Sequence, residues 1–270
     1  MNNLLVENVS KELNLNIKDV EATLNLLSEG NTVPFIARYR KEATHGLDET
    51  QIRAISEKYE YACNLQKKKD DYIRLIDEKG LLTEELRQNI LVCTKLVELE
   101  DIYRPFKEKK KTKATDAINN GLEPLAKMIM SFPTNGTLEQ MALKFINDKV
   151  KTCEEAITGA KYIIAEWISD NAYYRKYIRN FIFNSGAIVT KIKKDATDEN
   201  KTYEMYYNFK EELKKAKAYR TLAINRAEKE GVINVSFEYD KTKLLDYLYS
   251  KIIKNDKSFV VEEVKNAIND

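Results

Sequence analysis

The sequence is poor in the residues on which most catalytic chemistry depends. His45 is the one histidine in 270 residues. With no second histidine and no cysteine near it, no metal site is expected there. The three cysteines, Cys63, Cys93 and Cys153, lie far apart and are odd in number. They form neither a disulfide framework nor a C-x-x-C zinc spacing, and suit core or half-buried thiols in a reducing compartment. Phosphate-cradling glycine loops and the G-x-S-x-G nucleophile elbow are absent. Glu98, Glu100 and Asp101 crowd together, yet two-metal chemistry needs carboxylates brought from several elements into one pocket. An enzyme is therefore not expected, and no cofactor is implied. No apolar run approaches membrane length, and Met1-Asn2-Asn3-Leu4 lacks a basic leader. A cytoplasmic protein without membrane contact is expected.

Breakers are also scarce, with eight Gly and four Pro, while 33% of the residues are charged and 43% hydrophobic. That balance favours helices over sheet. Lys+Arg of 45 against Asp+Glu of 43 gives a formal charge of +2. A protein basic all over is thereby excluded, so any nucleic-acid site must come from local segregation of charge.

Such segregation occurs once, clearly. An apolar, acidic helix end, Leu99-Glu100-Asp101-Ile102-Tyr103, runs into Arg104-Pro105-Phe106 and then a dense basic segment containing Lys107, Lys109, Lys110, Lys111 and Lys113. Pro105 cannot continue a helix and biases Arg104 toward extended geometry. Tyr103 and Phe106 flank the break and are placed to pin it to a core. Lysines on an anchored connection suit phosphate contacts; a solvated loop that aids solubility is the other reading. A second basic group, Arg38, Arg40 and Lys41, follows a short helix opened by Pro34. It suits bidentate phosphate binding and, equally, helix-end charges paired with Glu42 or Asp48.

The remaining pattern is helical. Leu4, Leu5, Val9 and Leu13, then Ile17, Val20, Leu24 and Leu27, predict two short amphipathic helices in a helix-turn-helix-like corner. Its second helix mixes Lys18 with Asp19, Glu21 and Glu29, so no groove is assigned to it. Asp48 with Gln51 predicts the start of the longest helix, which reaches toward Gly80. Its polar face is expected to include Lys67, Lys68, Lys69, Asp70 and Asp71. Thr137 with Gln140, and Thr152 with Glu155, predict further capping boxes. Thr115 is expected to cap a short segment and Asp170 the aromatic-rich helix beyond it. Tyr173, Tyr174, Tyr177, Phe181 and Phe183 are read there as packing. After Gly186 the texture alternates over 187–193 and 232–239, which predicts short strands. Residues 216–230 read as helix. The expected fold is mainly α: a multi-helix, helix-turn-helix-containing bundle with at most short strands after Gly186. Residues 1–186 form one helical region and 187–270 its continuation.

Four blocks carry a resemblance. They are Leu99 to Thr115; Val33-Pro34-Phe35-Ile36-Ala37-Arg38-Tyr39-Arg40-Lys41-Glu42 with Gly46-Leu47-Asp48-Glu49-Thr50-Gln51; Gly121-Leu122-Glu123-Pro124-Leu125-Ala126; and Leu222-Ala223-Ile224-Asn225-Arg226-Ala227-Glu228-Lys229-Glu230-Gly231. In this order they resemble the Tex family of bacterial transcription accessory proteins. The resemblance implies the N-terminal, mostly helical part of a longer nucleic-acid-binding protein. An RNase H-like domain, helix-hairpin-helix elements and an OB-fold RNA-binding domain would follow beyond Asp270. Two functional readings stand. In one, a non-catalytic module contacts the backbone of RNA or DNA, weakly by itself, through Arg38, Arg40, Lys41, Arg104, Lys107, Lys109, Lys110, Lys111 and Lys113. In the other, a helical scaffold docks other domains or RNA polymerase.

Overall fold

A computed structural model describes residues 2–108 and 111–270. The chain divides into two compact units, Met1–Tyr103 and Arg104–Asp270.

In the first unit the helices beginning at Asn3, Ile17, Glu49 and Glu84 each start where a side chain satisfies an otherwise orphaned N–H. Asn2 accepts from Leu4 N at the start of α1 (Asn3–Leu13), and Asn16 from Lys18 N at the start of α2 (Ile17–Ser28). Helix α1 stops at Asn14, whose left-handed φ of 53° ends the helical path. Helix α3 (Val33–Tyr39) carries Pro34 in its first turn, where a missing N–H leaves nothing unsatisfied. The capping box of Asp48 and Gln51 is present, with both bonds made, and opens the long α4 (Glu49–Glu78). Helices α5 (Glu84–Val92) and α6 (Leu96–Tyr103) complete the unit. Helices α1, α2 and α3 pack on α4 around Val6, Val9, Val20, Leu24, Ile36, Leu47, Ile52 and Ile55.

One expectation for α4 is corrected. Lys69 is buried, because it falls on the stripe Leu65, Lys69, Tyr72, Ile76 rather than on the solvated face. Its Nζ donates to the Leu91 carbonyl at 2.6 Å, which satisfies the buried ammonium while desolvation pushes its pKa down.

The second unit opens with a 3-10 turn, Arg104–Phe106. Helices α7 (Lys113–Asn119), α8 (Glu123–Ile129) and α9 (Leu138–Ala142) then surround the central α10 (Cys153–Asp170). Three start signals differ from expectation. Thr112, not Thr115, caps α7. Thr152 caps α10, but the Glu155 carboxylate turns to Lys151 N instead of closing a box on Thr152. Asn171, not Asp170, caps α11 (Ala172–Ser185), accepting from Tyr173 N and Tyr174 N. The Thr137–Gln140 box is made as predicted.

After α11 come β1 (Ala187–Ile192), β2 (Asn208–Glu212), α12 (Ala218–Lys229), β3 (Ile233–Glu238), α13 (Lys241–Ile252) and α14 (Val261–Asn269). The strands form one antiparallel sheet in the order β2-β1-β3. Ile188, Ile224, Ala227, Ile233, Tyr203 and Tyr206 make its core. Strands β1 and β3 lie where alternation predicts them, and the fold is mainly α. A separate, larger core gathers Leu125, Ile129, Ala160, Ile163 and Ile164 with residues of α13 and α14.

The aromatic helix α11 is only partly packing. Tyr174 and Ile178 lie against the larger core, but Tyr173 and Phe183 are exposed. The Tyr177 and Tyr247 rings stack at 3.5 Å, and the Tyr173 and Tyr247 hydroxyls share a hydrogen bond of 2.8 Å. That bond, with burial adding to it, pushes the Tyr247 pKa up to about 12. A raised pKa means the folded state favours the protonated phenol. The contribution is therefore complete below the ordinary tyrosine pKa of about 10 and is lost as pH rises toward 12. In a tyrosinate absorbance titration, Tyr173→Phe should move one late-titrating tyrosine back toward the ordinary range. An unchanged late step would place its origin elsewhere.

Candidate nucleic-acid interface

The first basic group lies at the C-terminal end of α3. Arg40 N donates to Ile36 O and ends the helix. The turn beyond it is fixed by backbone bonds: Thr44 N donates to Arg40 O at 3.2 Å and Gly46 N to Lys41 O at 2.8 Å. Thr44 is fully buried, and its hydroxyl donates to the same Arg40 carbonyl. Gly46, at φ 86°, takes a backbone conformation that suits glycine. His45 precedes it at φ 49° and meets Asp19 through Nδ1 at 2.6 Å. The lone histidine thus anchors the turn to α2, a pairing 26 residues apart.

From this fixed turn Arg38, Arg40 and Lys41 all project into solvent. The pairing with Glu42 or Asp48, weighed as one reading, is absent among the described residues. Arg40 instead places its guanidinium 5.3 Å from the centre of the Phe35 ring. Tyr39 stands among these cations with 66% of its surface exposed. Sequence reasoning passed over it, although its place between Arg38 and Arg40 was a legible signal.

The second basic group belongs to the unit that begins at Arg104. Lys109 and Lys110 lie outside the described residues. Arg104 is held by its Nε to Asp170 Oδ1 at 2.8 Å, while about half of its side chain (48%) stays exposed. Asp170 is buried at the end of α10, so Arg104 fixes the start of the connection as well as offering charge. Lys107 is exposed, and its side chain makes no ion pair among the described residues. Lys111 is 81% exposed and approaches Asp116 at 3.6 Å. Lys113 lies over the Tyr162 ring, 4.8 Å from its centre, and Thr112 Oγ1 donates to Glu166 at 3.1 Å. Both ends of the basic segment are therefore tied to α10.

Tyr103, at the end of α6, stacks on Tyr72 of α4 at 3.9 Å and 8°, as its place before the break suggests. Glu100 is engaged by Lys68 at 3.1 Å, and Asp101 is buried. Among the described residues no group of His, Cys, Asp and Glu is arranged to hold a metal, and no helix is long and apolar enough to cross a membrane.

Comparison with known proteins agrees with this architecture. Residues 3–77 match the Tex-like protein N-terminal domain, which takes in α1 to α3 and nearly all of α4. Residues 134–265 match the Tex central region. The chain belongs to the Tex family. It is 47% identical over 270 residues to the protein YdcI of Bacillus subtilis, covering 99% of this chain and 38% of that one. Against the transcriptional accessory protein Tex of Neisseria gonorrhoeae the identity is 34% over 231 residues, covering 86% and 30%. Against the human S1 RNA-binding domain-containing protein 1 it is 30% over 246 residues, covering 87% and 24%. The chain thus spans between about a quarter and two-fifths of these relatives' lengths. The basic segment after Arg104 lies between the two matched Tex regions.

Proposed function

We propose that this chain is a non-catalytic, nucleic-acid-contacting part of a Tex-type transcription accessory protein, and that its two basic groups bind the phosphate backbone. One observation carries the reading: Arg38, Arg40 and Lys41 are exposed together at the end of α3, without carboxylate partners among the described residues, on a turn whose backbone is fixed by its own hydrogen bonds. The names of two relatives, one a transcriptional accessory protein and one an S1 RNA-binding domain-containing protein, point the same way.

The test is salt dependence. Changing Lys109, Lys110 and Lys111 together to Gln keeps side-chain length and removes charge. Losing about three phosphate contacts should flatten the slope of log affinity against log salt by roughly 2–3 units, with little dependence on base sequence. Stability should barely change, since the contact of Lys111 with Asp116 is that of an exposed pair. A folded triple variant with the parent's affinity and slope on duplex DNA and on single-stranded RNA would refute the phosphate role of these lysines. If Arg38→Gln with Lys41→Gln were also without effect, the helical-scaffold reading would stand.

A further inference from the structure

Tyr39 is out of place for a core residue and well placed for a ligand. Phe35 and Ile36 take the buried side of α3, leaving Tyr39 with 66% of its surface exposed. Its ring is nevertheless positioned. It packs at 5.2 Å and 44° against Phe35, whose ring also lies near the Arg40 guanidinium. An Arg40 Nη1 donates to the Tyr39 carbonyl at 3.3 Å. The peptide after Tyr39 is locked by the buried Thr44 and by Gly46, as described above. A half-immobilised aromatic ring therefore stands among three exposed cations, Arg38, Arg40 and Lys41, on a backbone that cannot readily move.

We propose that Tyr39 is a stacking platform for an unpaired base, with Arg38, Arg40 and Lys41 holding the neighbouring phosphates. The proposal rests on the phosphate-binding reading and adds the class of nucleic acid: single-stranded rather than duplex. Every base has a π-face that a tyrosine ring can cover, so stacking is tolerant of sequence. Bases within a duplex are already stacked on one another and present mainly phosphates to such a surface. Tyr39 then favours single strands, while the cations serve both forms. The ring makes no demand on the 2′-hydroxyl, so single-stranded RNA and single-stranded DNA share the chemistry.

The experiment uses the 270-residue chain with oligo(U), oligo(dT) and a long DNA duplex. Tyr39→Ala should weaken both single strands about tenfold, the size of one lost base–aromatic stack. Duplex affinity and the salt slope should stay unchanged, because no charge is removed. Tyr39→Trp should keep the parent's binding. Combined with Trp167→Phe, it leaves the introduced indole as the sole tryptophan, and that fluorescence should be quenched by either single strand and not by the duplex. In a separate arm, Arg38→Gln with Lys41→Gln should weaken all three ligands and flatten the salt slope. Single-strand affinity unaffected by Tyr39→Ala, an equal loss on duplex, or an indole left unquenched by single strands would each overturn the stacking role. If the charge variant weakens all three ligands while Tyr39→Ala weakens none, stacking is overturned and the phosphate reading survives. A charge variant without effect would strike at the phosphate reading itself. Loss for oligo(U) alone would overturn the shared chemistry by showing that the sugar is read.

Discussion

Leu99→Ala should destabilise the first unit by roughly 2–5 kcal/mol, the cost of removing a fully buried leucine. Leu99 is completely buried in α6, a helix that packs on α4. Three atoms beyond Cβ would be lost, and the remaining void would keep part of its volume. Collapse is resisted on one side by the Tyr72–Tyr103 stack, which fixes the end of α6 to α4. Ile102, expected beside Leu99 on the buried face, is only half-buried, so Ile102→Ala should cost less. Because the chain has two compact units, the effect should be read by calorimetry with hydrogen exchange, which assigns the shift to a unit. For a unit of about this size, each kcal/mol should lower the melting temperature by roughly 4–8 °C. A Leu99→Ala chain melting with the parent would mean that α6 is loosely docked.

What was legible in the sequence was local. The Asp48–Gln51 and Thr137–Gln140 boxes join residues three apart, so the pairs of side-chain types announce the helix starts. Strands β1 and β3 are β-branched and alternate. Strand β2, Asn-Phe-Lys-Glu-Glu, carries no such signal and exists because β1 supplies an antiparallel partner, with Lys210 opposite Val189. Charge pairs also link β2 to its neighbours, Lys210 to Glu238 of β3 and Glu211 to Arg220 of α12.

The site was legible in composition and not in partnership. Nothing local distinguishes Arg104, whose Asp170 partner is 66 residues away, from the exposed Lys107. Lys69 looked like one lysine of three, yet its buried ammonium finds a carbonyl 22 residues on. Glu155 fits a capping box by spacing, but Lys151 N competes for the same carboxylate. In each case the deciding contact is supplied by tertiary structure, or by a neighbour that the motif ignores.

The second large effect is expected at Gly159, where α10 passes closest to its neighbours. A Cβ there would lie 2.4 Å from Leu122 Cδ1 and 3.3 Å from the Ala117 Cβ of α7. Gly159 has an ordinary helical backbone, so helix propensity alone would favour alanine by about 1 kcal/mol. The clash should outweigh that gain, since overpacking a filled core costs typically 1–3 kcal/mol. Leu122 is itself only 2% exposed, so the clash falls on a buried side chain. Gly159→Ala should therefore destabilise the second unit, and Gly159→Leu should do so more severely. The consequence extends to the basic segment, because α7 begins at Lys113 and Tyr162 lies one turn beyond Gly159 on α10. Pushing α7 away should loosen the Lys113–Tyr162 contact and the bond between Thr112 and Glu166. A double-mutant cycle separates contact from propensity. Leu122→Ala alone should cost roughly 2–5 kcal/mol, but in that background Gly159→Ala should become neutral or stabilising, since the clashing methyl is gone. The two changes should then be non-additive by on the order of 1 kcal/mol or more. If Gly159→Ala is as stable as the parent, or the two changes simply add, α10 does not require glycine at this crossing.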